Sequence, residues 1–234
     1  MEGGEMTAFK VVSIDMFRTL ADVEPMLDER WRKLLKGKYT PELAQECQNR
    51  MNTSWNNHFP TDKFVLQKQL CLLDFQDLFS IVPCEFSPAE ATQLTVEQHA
   101  KSQPFDDAML FLNQVGQHYP ICLATDADED ILGTLRNMYA FDYVFTSEQL
   151  RTYKGDANGR FFSIIVDHYA AEPQQIIHIG DSTDEIISAG RIGITTCWLN
   201  RKGKIWSDSV RPDYTANSLI EVARILGLIV PERV

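Results

Sequence analysis

From position 104 onward the chain alternates short apolar runs with stretches of helical spacing, and that alternation restricts its second half to an α/β architecture. A helix over 105–118 leads into Ile121-Cys122-Leu123-Ala124, and a helix near 129–138 precedes Tyr143-Val144-Phe145. A helix near 160–169 and the runs Ile176-Ile177-His178-Ile179 and Ile194-Thr195-Thr196-Cys197-Trp198 complete the pattern. Strands joined by helices pair in parallel through right-handed crossovers, so the expected fold class is α/β, a three-layer core around a mostly parallel sheet. Val11-Val12-Ser13-Ile14 supplies a further strand near the start, rich in β-branched residues as strands buried on both faces are.

Between that first strand and position 102 the pattern is different. Met26, Trp31, Leu34 and Leu35, then Leu43, Cys47, Met51 and Trp55, recur at helix-face spacings. A Leu- and Phe-rich segment over 64–79 follows, and Pro83 and Pro88 punctuate the approach to another helix near 89–100. About eighty residues exceed what one crossover requires. They are expected to form an α-helical cap over 23–101, inserted into a core of 1–22 and 102–234 and placed as a lid above the C-terminal edge of the sheet.

Composition narrows the function. With 44% hydrophobic and 24% charged residues the chain is an ordinary globular one. A net charge of -11 with no offsetting basic block argues against nucleic acid or an anionic membrane as partner. The five cysteines are odd in number and form no CxxC pair; with no signal-peptide pattern and no apolar stretch of transmembrane length, the expected location is the reducing cytoplasm. The histidines show no zinc-ligand spacing, and His178, inside an apolar run, is expected to be a core residue.

Polar groups of four distinct kinds stand at strand ends or in a loop of this pattern: Asp15 after the first strand, Thr125 after Ala124, Lys154 in a loop, and Asp181 after Gly180. Ligands of open parallel sheets bind at the carboxyl ends of the strands. A nucleophilic carboxylate, a hydroxyl donor, a fixed cation and a second carboxylate are what phosphoryl transfer through an aspartyl phosphate requires.

Through Asp15-Met16-Phe17-Arg18-Thr19-Leu20, Leu123-Ala124-Thr125-Asp126, Lys154-Gly155-Asp156 and Gly180-Asp181-Ser182-Thr183-Asp184-Glu185, in that order, the sequence resembles the haloacid dehalogenase superfamily. Arg211-Pro212-Asp213-Tyr214 ahead of the last helix is also similar to the family. The resemblance implies a Rossmann-like core carrying an inserted helical cap, and a Mg²⁺-dependent hydrolase, most simply a small-molecule phosphatase whose partner is a small phosphorylated metabolite. It further implies Asp15 as nucleophile, Thr125 as donor to a transferring oxygen, and Lys154 as the cation that neutralises Asp15 and the phosphoryl group. Mg²⁺ would be held by Asp15, the Phe17 carbonyl, Asp181 and Glu185, with Asp184 as the competing neighbour of Glu185. Arg18 and Asp126 join Thr125 and Lys154 as substrate contacts, and the chain is expected as a monomer or homodimer.

Two positions depart from that pattern. Phosphatase members carry a second Asp two residues after the nucleophile, where this chain has Phe17, and a phenyl ring cannot transfer a proton. Arg18 stands where the family usually has Gly. These departures keep two alternatives open: a metal-independent 2-haloacid dehalogenase-like hydrolase, in whose branch an aromatic residue occupies the place of Phe17, and a binding or regulatory protein that kept the fold and lost turnover.

Overall fold

The computed structural model describes residues 9–58 and 63–228. In chain order its elements are β1 (Val11–Ile14), β2 (Ala21–Asp22), α1 (Glu24–Leu35), α2 (Pro41–His58), α3 (Gln67–Ile81), α4 (Pro88–His99), β3 (Gln103–Pro104), α5 (Ala108–Val115) and β4 (Ile121–Thr125). Then follow α6 (Glu129–Leu132), β5 (Tyr143–Thr146), α7 (Ser147–Leu150), α8 (Arg160–Tyr169), β6 (Ile176–Gly180), α9 (Thr183–Arg191), β7 (Thr195–Leu199), β8 (Tyr214–Ala216) and α10 (Leu219–Ile225). They divide into two compact units, one built from the described residues of Met1–Ala21, Pro104–Thr125 and Tyr139–Val234, the other from those of Asp22–Gln103 and Asp126–Met138.

The first unit is the α/β core. Its six-stranded sheet runs β5-β4-β1-β6-β7-β8, and every neighbouring pair is parallel. β1 therefore lies between β4 and β6, with both faces covered, which is why Val11–Ile14 is buried at every position. The register sets Ser13 beside Cys122 on one side and His178 on the other, and His178 beside Thr196. Phe145, Phe161, Phe162 and Ile165 pack with Val11, Cys122, Ala124 and Ile176 in one apolar cluster. Each such large side chain contributes roughly 1.5–3 kcal/mol by leaving water, and together they hold α8 on the sheet.

The second unit is helical. Trp31, Leu34 and Leu35 of α1, Cys47 and Met51 of α2, and Phe75 and Leu78 of α3 share one core, in which the Trp31 and Phe75 rings meet edge-on at 6.4 Å. The helix expected near 129–138 is shorter: α6 stops at Leu132 and Gly133–Asn137 is a 3₁₀ turn. Gly133 is the cause. Its φ of 52° is a left-handed conformation, and a Cβ there would lie 2.6 Å from the Ala100 Cβ, so the chain turns where only glycine fits.

Residues 126–138, assigned to the core from the sequence pattern, group instead with this helical unit. Asp128 explains part of that grouping. It is fully buried, and its carboxylate accepts from the Gln67 N–H at 2.9 Å and the Lys68 N–H at 2.8 Å, the first two amides of α3. An anion there satisfies orphan donors and sits at the positive end of the helix dipole. Replacing Asp128 by Ala is expected to lower the unfolding free energy by about 1–2 kcal/mol, because two charge-assisted bonds to half-buried donors at the start of α3 are lost. Urea unfolding measures it, and an unchanged midpoint would show that this carboxylate does not tie 126–138 to α3. Among the described residues no helix is long and apolar enough to cross a membrane.

Candidate active site

β4, β1 and β6 are neighbours in a parallel sheet, so their carboxyl ends bring Thr125, Asp15 and Asp181 to one rim. Asp15 continues β1, its N–H donating to the Ile179 carbonyl at 2.9 Å, which carries the carboxylate just beyond the last apolar residue of the strand. Lys154 reaches the same place from the segment between α7 and α8, and Glu185 from the first turn of α9.

Lys154 donates from Nζ to Asp15 Oδ1 at 2.5 Å and also to Glu185 Oε2. All three side chains are withdrawn from solvent, Lys154 at 3% exposure, Asp15 at 6% and Glu185 at 1%. A lysine is almost never buried this far without carboxylate partners. Asp181, half-buried, completes the group: Asp15, Asp181 and Glu185 each place an oxygen within 4.8 Å of the other two.

Glu185 is held on every side. Its Oε1 accepts the Ser182 N–H at 2.8 Å while the Ser182 hydroxyl accepts the Glu185 N–H, a capping box that starts α9. Its Oε2 takes Lys154 and lies 3.3 Å from His178 Nε2. A Cβ at position 180 would fall 2.2 Å from the Glu185 carboxylate, so Gly180 is what lets the acid lie against the β6 backbone. His178 in turn meets the Ser13 hydroxyl through Nδ1 at 3.0 Å, and Phe162 covers its ring edge-on at 4.6 Å.

The charges are unequal. Burial raises the Asp15 carboxyl against the pull of Lys154, with Glu185 and Asp181 adding to the rise. Burial and the nearby Glu185 raise Asp181 too, opposed by Arg18, Lys154 and Lys204. Burial alone would lift Glu185 as well, but Lys154 and His178 outweigh it and hold that acid below the usual carboxylate range. Lys154 bonds two of the three acids, and the charges of Arg18 and Lys204 reach the third, Asp181.

Asp15, Lys154, Asp181 and Glu185 thus come together, and Glu185 rather than its exposed neighbour Asp184 turns inward. Thr125 is buried at the end of β4. Phe17 is half-buried and makes a backbone bridge with Ala21. Arg18 is exposed at a φ of 66°, a strained conformation for a residue with a Cβ, held by its N–H on the Ala21 carbonyl at 2.7 Å. Asp126 belongs to the helical unit. The sequence pattern missed two groups. His178 bonds Glu185 instead of serving only as filling, and Lys204 is an exposed cation whose charge reaches Asp181.

A sequence profile described as haloacid dehalogenase-like hydrolase matches residues 9–193. The chain belongs to the haloacid dehalogenase-like hydrolases. A comparison with curated protein sequences finds no match. Among solved structures, the L-2-haloacid dehalogenase RSc1362 superposes with a TM-score of 0.79 at 14% identity, over 94% of this chain and 100% of that one. The putative hydrolase YfnB from Bacillus subtilis, of the same family and described as bound to magnesium, gives 0.81 at 18% identity with the same coverage, 94% and 100%. L-2-haloacid dehalogenase from Xanthobacter autotrophicus gives 0.76 at 13%, again over 94% and 100%. At these identities the likeness is one of fold.

For a haloacid dehalogenase-like hydrolase the donor set bears on metal binding directly. Asp15, Asp181 and Glu185 offer only oxygen, which suits a hard divalent cation, and their charge exceeds what Lys154 balances, so the three acids could hold a metal ion.

Proposed function

We propose that the protein is a Mg²⁺-dependent phosphohydrolase of small phosphorylated metabolites that works through an aspartyl phosphate on Asp15. The observation that carries this reading is the surplus of acid: three oxygen ligands within 4.8 Å of one another, with Lys154 bonded to two of them. Asp15, Asp181, Glu185 and the Phe17 carbonyl are the groups to hold Mg²⁺, which supplies the screening that lets a carboxylate approach an anionic phosphoryl group.

In the first step an oxygen of Asp15 bonds to phosphorus as the bond to the leaving oxygen breaks. In the second, the oxygen of water bonds to phosphorus as the acyl phosphate bond breaks, which restores the carboxylate and releases inorganic phosphate carrying the protons of that water. Lys154 fixes Asp15 in position and neutralises charge gathering on the phosphoryl oxygens, and Thr125 donates to one of them. Arg18 and Asp126 contact the remainder of the substrate. Phe17 gives no proton to the leaving group, so the preferred substrates are those whose leaving oxygen departs as an anion, acyl and aryl phosphates before alkyl ones. Five free cysteines support a reducing compartment, the cytoplasm.

The same Phe17 favours a second reading, metal-free displacement of halide from a 2-haloacid by Asp15, and the dehalogenases among the structural neighbours are consistent with it. One assay separates the two. Purified protein is expected to release phosphate from p-nitrophenyl phosphate and acetyl phosphate only with Mg²⁺, and to lose that release on chelation. Chloride release from 2-chloropropionate in the presence of chelator establishes the second reading instead. Binding of Mg²⁺ and phosphate with no turnover of either substrate class would mark a regulatory member of the family.

A further inference from the structure

We infer that His178, fixed by Ser13, is a positioning residue that holds Glu185, and through it Lys154, against the nucleophile; as a statement about catalysis this rests on the phosphohydrolase reading. Ser13 and His178 are register partners on β1 and β6, in a row that runs from Cys122 on β4 to Thr196 on β7, with Phe162 against the His178 ring. Both are fully buried. Polar groups in such a place are destabilising unless each is satisfied, and here each satisfies the next in line toward the site.

The chemistry at Glu185 fixes the direction of its bond to the ring. Glu185 Oε2 already accepts Lys154 and has no proton to give, so the Nε2 that lies 3.3 Å from it carries the hydrogen. Nδ1 lies 3.0 Å from the Ser13 hydroxyl, which donates to it when the ring carries its proton on Nε2 alone and accepts from it when both nitrogens are protonated, so Ser13 fixes the ring in either state. The ring cannot turn away, because Phe162 packs edge-on against it at 4.6 Å. Glu185 is thereby clamped between His178 and the Ser182 N–H, and the Oε2 that receives the histidine is the atom that receives Lys154. Without the clamp the carboxylate can rotate and draw Lys154 from Asp15.

Three measurements test this. In the wild-type protein ¹⁵N NMR is expected to show His178 protonated at Nε2, and a ring protonated at Nδ1 alone overturns the assignment. The Lys154 Cε resonance, followed with ¹³C-labelled lysine and assigned by its disappearance in Lys154→Met, is expected to shift in His178→Leu and to return toward its wild-type position in His178→Gln, whose amide can donate in place of Nε2–H. For p-nitrophenyl phosphate, His178→Leu is expected to lower kcat by about 10- to 100-fold with KM within twofold, and His178→Gln to recover most of it. An unmoved Lys154 signal in His178→Leu, or equal losses in the two variants, overturns the proposal. Absence of phosphate release by the wild type would instead sink the phosphohydrolase reading, and the two resonance measurements, made on resting protein, would still decide whether His178 sets Lys154.

Discussion

Asp15→Asn is expected to cut Mg²⁺-dependent phosphate release at least about 10⁴-fold while the protein stays folded, because removing the nucleophile of a covalent mechanism costs on that scale. The variant separates charge from shape. Asparagine fills the same volume at the end of β1, and the backbone N–H that meets Ile179 is unaffected. Its amide cannot displace an alcohol or phenol from phosphorus, nor bind a cation as a carboxylate does. The resting protein should suffer little. Asp15 is raised by burial and by the charges of Glu185 and Asp181, so a neutral group there relieves repulsion, and Lys154 keeps Glu185 as its partner. A melting temperature equal to or above the wild-type value, with kcat at background, is the outcome that fits a nucleophile. Residual activity within tenfold of wild type would mean that another group attacks phosphorus.

β1, β4, β6 and β7 could be read as apolar runs because they are covered on both faces, and burial on both faces removes the polar alternation that would otherwise blur the signal. β8 could not be read that way. Tyr214 and Thr215 are exposed, and what recruits this three-residue edge strand is the side chain of Asp213, which accepts from the Thr196 N–H at 2.8 Å and bonds its hydroxyl at 2.9 Å. The overlong helix near 129–138 fails for a related reason. Its apolar spacing is genuine, but the φ forced at Gly133 ends the helix, and spacing carries no information on φ.

The site divides likewise. Asp15 and Asp181 follow from carboxylates set at strand ends and Lys154 from a cation in a loop of the same pattern, while Glu185 follows from the resemblance to the family. His178 does not, since Ile177 and Ile179 on either side give it the surroundings of a core residue. Its partner Ser13 is 165 residues away, and only the strand register brings the two together. A polar residue inside an apolar strand becomes informative once the neighbouring strand is known to offer a matching polar group in the same row.

Lys154→Met is expected to be the most damaging single change in stability. Methionine matches the length of the lysine stem but brings no charge, so Asp15 and Glu185 are left buried without their shared cation. Removing one member of a buried ion pair costs about 3–5 kcal/mol, and for a chain of this size that lowers the melting temperature by about 6–20 °C. Activity should fall by about 10³-fold or more as well, since the cation that stabilises the phosphoryl oxygens is gone. The double variant Asp15→Asn with Lys154→Met distinguishes a lost attraction from an exposed repulsion. If the damage comes from uncompensated charge, neutralising Asp15 raises the melting temperature of Lys154→Met by more than it raises that of the wild type. Mg²⁺ at millimolar concentration should act in the same direction on Lys154→Met, because a cation that binds the folded acids stabilises them by mass action. Effects of the two changes that simply add would mean that the 2.5 Å contact between Lys154 and Asp15 contributes no coupling.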